Sequence, residues 1–240
     1  MTYLDERKSE LLEIIIRDYI KTARPVASAR LVSEYRLDMS PASVRSSMLE
    51  LDRLEYLEQP HHASGRVPTM NGYRFFVDKI AASPLEHDLL KEHKTELKQG
   101  HDHIDAIARI IAEETQNLAL GGWFERPESF RFFGLADMLR QPEFEDAAAS
   151  ADFVAAFEHL LSEEDELHEL VEHTTPHELQ VYIGEENPLK PLRDWSMILV
   201  RVQNQGDGVI AVIGPQRMSY GENMALVASL AKKMEELLNN

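Results

Sequence analysis

The sequence predicts an α+β protein with two domains joined by a helical linker. Apolar residues recur at helical spacing through the first 82 residues, and a short hairpin pattern near residue 65 interrupts them. Residues 179–213 contain three short apolar runs separated by turn residues, and an amphipathic stretch follows them. Several consecutive strands followed by a helix are typical of an antiparallel sheet with flanking helices. We therefore expect an antiparallel sheet with flanking helices in the second domain.

Two helices are predicted before residue 36. The first covers residues 5–22 and ends before Pro25. Its apolar side is formed by Leu4, Leu11, Leu12, Ile15, Ile16, Tyr19 and Ile20. Ser28 is expected to be the N-cap of a second helix over residues 29–35, because its hydroxyl can accept a hydrogen bond from a free backbone N–H. This helix turns Leu31 and Val32 inward, and residues 36–39 form a tight link to the next helix.

The third predicted helix begins at Ser40, a good N-cap, and has Pro41 at its first position, where no N–H is needed. Val44, Met48 and Leu51 fall on one face at helical spacing. The residues left pointing outward are Ser43, Arg45, Ser46, Ser47 and Glu50. Short hydroxyls beside an arginine on an exposed helix face suit contacts with base edges and phosphates in a DNA major groove.

A β-hairpin is predicted directly after this helix, with strands at residues 55–59 and 66–67 and Gly65 at its turn. Thr69 is expected to cap a fourth helix over residues 71–82, which carries Tyr73, Phe76, Val77 and Ile80 on one face. A helix-turn-helix followed by such a hairpin predicts a winged helix-turn-helix in residues 1–82. The alternative is a plain helical bundle, but a bundle has no use for the Gly-Arg hairpin.

DNA contacts are predicted on both the third helix and the hairpin. Ser43, Arg45, Ser46 and Ser47 would read or flank bases. From the wing, Arg66, His61 and His62 would reach phosphates or the minor groove. The complete predicted set is Ser40, Ser43, Arg45, Ser46, Ser47, His61, His62, Ser64, Gly65, Arg66 and Thr69.

The charge distribution decides where nucleic acid could bind. The net charge is −17, but residues 1–80 hold 12 basic and 12 acidic side chains, whereas residues 81–240 hold 13 and 30. DNA phosphates would therefore be tolerated only by the N-terminal part. Since even that part is neutral overall, we expect weak binding by one copy and higher affinity from a dimer on two half-sites. The acidic remainder would repel DNA.

The rest of the chain divides into a helical linker over residues 83–120 and a second domain over residues 121–240. An apolar stripe in residues 85–119 indicates either an interface or packing on the chain's own second domain. In that domain we predict a strand at 130–135, a helix at 150–161, an acidic helix at 163–172, strands at 179–183, 196–202 and 208–213, and a last helix at 222–238.

No enzymatic site, metal or cofactor is predicted. The chain has no cysteine, which excludes disulfides and thiolate chemistry. Two histidines in residues 168–173 are five apart and cannot share one helix face, and Pro176 prevents a helix from joining His173 to His177. The sequence shows no apolar signal segment and no membrane-spanning run, which favours a cytoplasmic protein.

The sequence resembles the HrcA family of heat-inducible transcription repressors. The resemblance is carried by Pro25-Val26-Ala27-Ser28, by residues 37–45, by Glu58-Gln59-Pro60-His61, and by Ser64-Gly65-Arg66-Val67-Pro68-Thr69 with Gly72-Tyr73-Arg74 after it. It continues with Gln141-Pro142-Glu143-Phe144, Ile183-Gly184-Glu185-Glu186-Asn187 and residues 213–220. These motifs recur in the family's order from end to end.

The resemblance implies a dimeric repressor whose winged helix binds an inverted-repeat operator of chaperone genes. It further implies a GAF-like regulatory and dimerisation domain over residues 121–240, with activity tuned by the chaperonin GroEL. An alternative is a winged-helix regulator whose GAF-like domain senses a small molecule. The chain departs from the family at Ser46, where asparagine is usual, and at His62-Ala63. It is also shorter than typical members, with a gap near residues 119–124 where the family has further strands and an inserted dimerisation domain.

Overall fold

A computed structural model describes residues 4–60, 65–81, 103–162, 168, 174–203 and 207–238. The chain divides into two compact units, Met1–Ala82 and Ser83–Asn240. The first unit is helical with one small strand pair. The second unit contains a five-stranded sheet with helices.

The described residues of the first unit form six elements in the order helix, helix, helix, strand, strand, helix. They are α1 (Glu6–Thr22), α2 (Ser28–Tyr35), α3 (Pro41–Arg53), β1 (Leu57–Glu58), β2 (Val67–Pro68) and α4 (Met70–Ala81). All four predicted helices are present. The two hairpin strands pair in antiparallel fashion. The first is shorter than predicted, and the second begins one residue later than predicted. An isolated antiparallel bridge between Val26 and Arg66 joins the α1–α2 turn to the hairpin.

The caps of these helices agree with the sequence at Ser40 and disagree at Ser28. Ser40 has extended backbone angles and accepts a hydrogen bond from the backbone N–H of Ser43, with Pro41 in the first turn. The N-cap of α2 is Ala27, and no side chain caps this helix. The predicted cap at Ser28 is therefore wrong, because the extended conformation occurs one residue earlier and Ser28 already belongs to the helix.

A buried ionic group joins α1 to α2. Asp18 lies on α1 and is 1% exposed. Its carboxylate pairs with the guanidinium of Arg30 and accepts a hydrogen bond of 3.2 Å from the hydroxyl of Tyr35. Burial raises the pKa of Tyr35 above its ordinary value, and the nearby Asp18 carboxylate adds to this effect. Asp18 interrupts an otherwise apolar interface, so its charge must be balanced by Arg30.

The core of the first unit is formed by the residues that helical spacing predicted. Fully or almost fully buried side chains are Leu11, Leu12, Ile15, Ile16, Val26, Leu31, Val44, Met48, Leu51, Tyr56, Leu57, Tyr73, Phe76 and Val77. They come from all four helices, the α1–α2 turn and the hairpin. The hairpin is thus part of the same core as the helices.

The second unit contains a five-stranded antiparallel sheet. Its elements are α5 (His103–Thr115), β3 (Leu118–Trp123), β4 (Arg126–Phe133), α6 (Leu135–Met138), α7 (Ala147–Ser162), β5 (Leu179–Ile183), β6 (Trp195–Gln203), β7 (Asp207–Pro215) and α8 (Tyr220–Leu238), with short 3-10 turns at Pro142–Phe144, Gly184–Glu186 and Lys190–Leu192. The strand order is β4-β3-β7-β6-β5, and every pair is antiparallel.

Helices cover both faces of this sheet. Helices α5 and α8 pack against one another and against the sheet. Alternate residues of β3, β6 and β7 face the opposite side, where α7 packs on them; Leu120, Leu199 and Ala211 are examples. The core there includes three aromatic rings. Trp195 stacks on Phe144 with ring centres 5.0 Å apart, and Phe153 meets Trp195 edge-on at 4.8 Å.

The structure of the second unit differs from the sequence analysis in two places. The predicted linker does not extend to residue 120, because α5 and β3 belong to the second unit. From residue 103 onward the apolar stripe packs inside this unit, where Ile104, Ile107 and Ile111 are fully buried. Strand β3 was not predicted: all six of its residues are buried, so it has no alternating pattern, and Gly121-Gly122 lowers its strand propensity. The stripe residues 85–102 and all of the acidic helix 163–172 except His168 lie outside the described residues.

An ion pair between Arg201 and Asp207 joins β6 to β7. It predicts that the second unit becomes less stable at acid pH. Asp207 accepts hydrogen bonds from Arg201 (2.7 Å) and from Gln203 (2.8 Å). Hydrogen bonding from Arg201 lowers the pKa of Asp207 below its ordinary value. The ion pair therefore contributes its full stability to the folded chain above the unfolded-state pKa of Asp207, which is about 3.9. This contribution is lost as the pH falls through the folded-state pKa of Asp207.

We expect Asp207→Asn to destabilise the second unit by about 1–2 kcal/mol at neutral pH. The difference from the wild-type chain should shrink as the pH falls through the folded-state pKa of Asp207. Urea unfolding of both chains across this pH range measures the effect. A stability difference that does not change with pH would show that the charge of Asp207 contributes nothing.

Candidate nucleic-acid interface

Four of the eleven residues predicted to contact DNA lie on α3. Ser43, Arg45 and Ser46 are exposed, whereas Ser47 is half-buried. The described part of the chain offers no hydrogen-bond or ion-pair partner to the guanidinium of Arg45. This cation is therefore available to a ligand on the helix surface.

Ser40 and Ser43 are joined to each other at the start of α3. The hydroxyl of Ser40 accepts from the backbone N–H of Ser43 at 3.1 Å, and the two hydroxyl oxygens are 2.9 Å apart. Both side chains are exposed. They fix the first turn of the helix and still present hydroxyl groups to the solvent.

The acidic residues of α3, Glu50 and Asp52, both form ion pairs within the unit, although Glu50 shares its partner Lys8 with Asp5. Glu50 is paired with the ammonium group of Lys8, with an N–O distance of 2.8 Å. Asp52 is paired with Arg66, whose Nε lies 2.5 Å from its carboxylate. The hydrogen bonds to Glu50 and then to Asp5 raise the pKa of Lys8. These pairs reduce the negative field around α3, which favours an anionic ligand there.

Arg66 forms an ion pair within the first unit. Its side chain is only 13% exposed, lies against Asp52 of α3, and approaches the carbonyl oxygen of Gly65 at 3.4 Å. It therefore joins the hairpin to α3, and its predicted contact with phosphates stays a prediction. The sequence could not show this, because the pairing depends on how the hairpin folds back on α3.

Gly65 and Thr69 are required by close packing and capping. A Cβ at Gly65 would lie 2.7 Å from the carbonyl carbon of Pro25 and 2.8 Å from the carbonyl oxygen of Val26. Gly65 is thus needed because the hairpin lies directly on the α1–α2 turn. Thr69 donates to the carbonyl of Glu55 at 2.5 Å and accepts from the N–H of Gly72 at 3.2 Å, so its hydroxyl is already engaged.

An open groove of about 260 Å³ lies between α2, α3 and the hairpin. Its lining includes Ala27 and Ser28 at the start of α2, Arg45 and Leu49 on α3, and Gln59 beside the hairpin. The groove thus brings the N-terminus of α2, which no side chain caps, close to Arg45 of α3. His61, His62 and Ser64 lie outside the described residues, so their predicted contacts stay predictions.

Leu49 is a surface residue of α3 that the sequence interpretation missed. It is 43% exposed and lies on the face that carries Arg45. The sequence pattern does indicate this exposure, because Leu49 is apolar but lies off the stripe formed by Val44, Met48 and Leu51.

Comparison with known proteins identifies relatives along the chain. A family model described as HrcA protein C terminal domain matches residues 73–224. A protein named heat-inducible transcription repressor HrcA from Natranaerobius thermophilus is 27% identical over 340 positions, which include 98% of this chain and 97% of the relative. A protein of the same name from Beutenbergia cavernae is 38% identical over 120 positions, 48% of this chain and 34% of that protein.

The alignment with the Natranaerobius protein is longer than this chain of 240 residues, so that relative contains segments with no counterpart here. Among solved structures, the crystal structure of a hypothetical protein at 2.2 Å resolution matches with a TM-score of 0.80. It is 15% identical, and the match covers 98% of this chain and 99% of that one. This likeness shows the fold of the chain, including the mixed helix–sheet second unit.

Within the described ranges, His, Asp and Glu side chains form no group of three that could hold a metal ion. No helix in the described part of the chain is long and apolar enough to cross a membrane.

Proposed function

Since this chain belongs to the HrcA family, we propose that it is a transcription repressor that binds duplex DNA through its first unit and controls heat-inducible chaperone operons. The observation that carries this proposal is the exposed face of α3. Arg45 on this face has no partner among the described residues, and the acidic residues of α3 are paired with Lys8 and Arg66.

The proposed reader is a winged helix-turn-helix made of α1 to α4. Helix α2 and helix α3 correspond to the helix-turn-helix, and the hairpin β1–β2 corresponds to the wing. Three connections hold the wing in place: the Arg66–Asp52 ion pair, the backbone bridge to Val26, and the close approach of Gly65 to Pro25. A fixed wing beside an exposed helix suits the major groove with its flanking phosphates.

Within this reader, Arg45 is proposed to contact a base edge. A guanidinium can donate two hydrogen bonds to the O6 and N7 atoms of guanine. Ser46 would contact the neighbouring base or backbone, and the hydroxyls of Ser40 and Ser43 would contact phosphate. The uncapped start of α2 offers free backbone N–H groups to a phosphate at the edge of the same groove.

We propose that two copies bind an inverted repeat. The first 80 residues carry no net charge, so a single reader gains little from the phosphate backbone. A dimer doubles the contacts and selects half-site spacing. The second unit is proposed to hold the two copies together, and the family resemblance supports regulation by the chaperonin GroEL.

A small-molecule sensor is the alternative function. Its binding site would be expected in the GAF-like second unit. However, Phe144, Phe153 and Trp195 fill the layer between α7 and the sheet with stacked and edge-on rings. This packing favours the repressor that depends on DNA and protein partners.

We expect Arg45→Ala to weaken binding to the preferred duplex by about 1–3 kcal/mol and to relax sequence preference at one position in each half-site. The physical reason is the loss of a bidentate contact with a base. The preferred duplex is the one that the wild-type chain enriches from a pool of random DNA. Gel-shift titrations against this duplex and a scrambled version measure the change.

Two variants serve as controls for Arg45→Ala. Arg45→Lys keeps the charge but loses the planar fork, so it should retain non-specific affinity and lose base preference. Arg53→Ala removes an exposed arginine at the end of the same helix and should leave base preference unchanged. Equal affinity of the wild-type chain for both duplexes, falling together with added salt, would contradict the proposed function.

A further inference from the structure

We propose that Leu49 reads the 5-methyl group of a thymine in the major groove, beside the base pair contacted by Arg45. This inference rests on the proposed function, because it requires α3 to enter the major groove. It adds a large apolar side chain to the reader, whose other exposed side chains on this face are polar, charged or, at Ala42, a single methyl group. It also predicts a feature of the operator, namely a thymine at a fixed short distance from a guanine.

The first argument is the exposure of Leu49. Its side chain is 43% exposed on a helix whose buried face is complete without it, since Val44 and Leu51 are fully buried and Met48 is 4% exposed. Within the described residues it is the large apolar side chain that stands out in solvent. A leucine contributes little to folding at such a position, whereas it can gain free energy by losing water against an apolar surface of a ligand.

The second argument is the position of Leu49 relative to the polar residues of the same face. Leu49 follows Arg45 by four residues and Ser46 by three, and such pairs are neighbours on a helix, with Cβ atoms about 5–6 Å apart. Arg45 and Leu49 also line the same groove. Since base pairs in duplex DNA are spaced by about 3.4 Å, the two side chains would reach sites about one to two base pairs apart.

The third argument concerns the ligand. Among the groups on base edges in the major groove, the thymine methyl is the apolar one, and leucine is chemically suited to contact it. The neighbouring acids Glu50 and Asp52 are paired with Lys8 and Arg66, so the surroundings of Leu49 are not strongly negative. Leu49 is an apolar side chain next to serine hydroxyls and the guanidinium of Arg45. This combination suits a base edge that lies beside phosphates.

The test replaces thymine by deoxyuridine, which removes only the 5-methyl group. The full-length wild-type chain first selects its preferred duplex from random DNA. Each thymine of one half-site is then exchanged singly for deoxyuridine, and affinity is measured by fluorescence anisotropy. We expect one position near the guanine read by Arg45 to lose roughly fourfold in affinity, the effect of about 0.8 kcal/mol for one buried methyl group.

The same duplexes are measured with two variants of Leu49. Leu49→Ala should bind the thymine and deoxyuridine duplexes equally, because it no longer reaches the methyl group. Leu49→Met keeps an apolar side chain of similar size and should retain the discrimination. Leu49 is exposed, so both variants should fold, and thermal unfolding verifies this before the affinities are compared.

The outcomes separate this inference from the proposed function. If the wild-type chain prefers its selected duplex but no deoxyuridine exchange changes affinity, or if Leu49→Ala keeps the full discrimination, the role of Leu49 is overturned while the repressor function stands. If the wild-type chain shows no sequence preference, both fail. A change in solution mass caused by Leu49→Ala without DNA would instead assign this face to contact with a second copy and would also overturn the inference.

Discussion

Replacing Arg30 by methionine should destabilise the first unit by about 3–5 kcal/mol, because it leaves the carboxylate of Asp18 buried without its counter-charge. Asp18 is 1% exposed, and its remaining hydrogen-bond donor from a side chain would be the hydroxyl of Tyr35 at 3.2 Å. Methionine keeps most of the aliphatic length of arginine, so the effect reports mainly the charge. Urea unfolding followed by circular dichroism measures the free energy of unfolding.

A double-mutant cycle makes this result specific. Asp18→Asn combined with Arg30→Met removes both charges and should recover much of the lost stability, because a neutral amide needs no counter-charge. Arg24→Met is the matched control, since Arg24 is an exposed arginine in the nearby α1–α2 turn, and it should stay close to the wild-type value. If Arg30→Met behaved like Arg24→Met, the buried pair would not contribute to folding. The double variant would be expected to retain DNA binding, since neither residue lines the groove.

Phe153→Ala should destabilise the second unit by about 3–5 kcal/mol. The ring is fully buried between Phe144 and Trp195, with centre-to-centre distances of 5.4 and 4.8 Å. Removing it opens a cavity whose walls are stacked aromatic rings and strand side chains, and these can collapse only partly. Urea unfolding gives the stability change, and near-ultraviolet circular dichroism reports the packing of Trp195.

Phe157→Ala is the natural comparison on the same helix. Phe157 is half-buried and meets Phe132 edge-on at 4.9 Å, so its loss should cost less than that of Phe153. Two variants with equal and small effects would show that the layer under α7 repacks freely. Such adaptability would also revive the small-molecule alternative, because a layer that rearranges easily could admit a ligand.

The parts of the fold that could be predicted from the sequence are those fixed by local chemistry. Helix α3 is an example: its cap at Ser40, the proline after it and the spacing of Val44 and Leu51 are all local, and all are confirmed. Strand β3 was missed for the opposite reason. A strand buried on both faces has no alternation, and only its pairing with β4 and β7 makes it a strand.

The candidate site shows the same division between local and tertiary information. The exposure of Arg45 follows from its position on the helix, so the sequence could indicate it. The pairing of Arg66 with Asp52 requires the hairpin to return to α3, and the need for glycine at Gly65 requires it to touch the α1–α2 turn. Neither contact can be inferred from the spacing of residues in the sequence. The exposure of Leu49 could also be indicated by the sequence, because this residue lies off the stripe formed by Val44, Met48 and Leu51.

Under the proposed function, the bridge between Val26 and Arg66 has a consequence for the rate at which DNA would leave the first unit. Its two backbone hydrogen bonds, of 2.8 and 3.0 Å, make the helix-turn-helix and the base of the wing one preorganised surface. A preorganised surface loses little conformational entropy when it binds a ligand. Differences in affinity between related complexes arise mostly from the dissociation rate, so we expect this preorganisation to slow dissociation. Residence time on the operator should therefore depend on a backbone contact that touches no DNA.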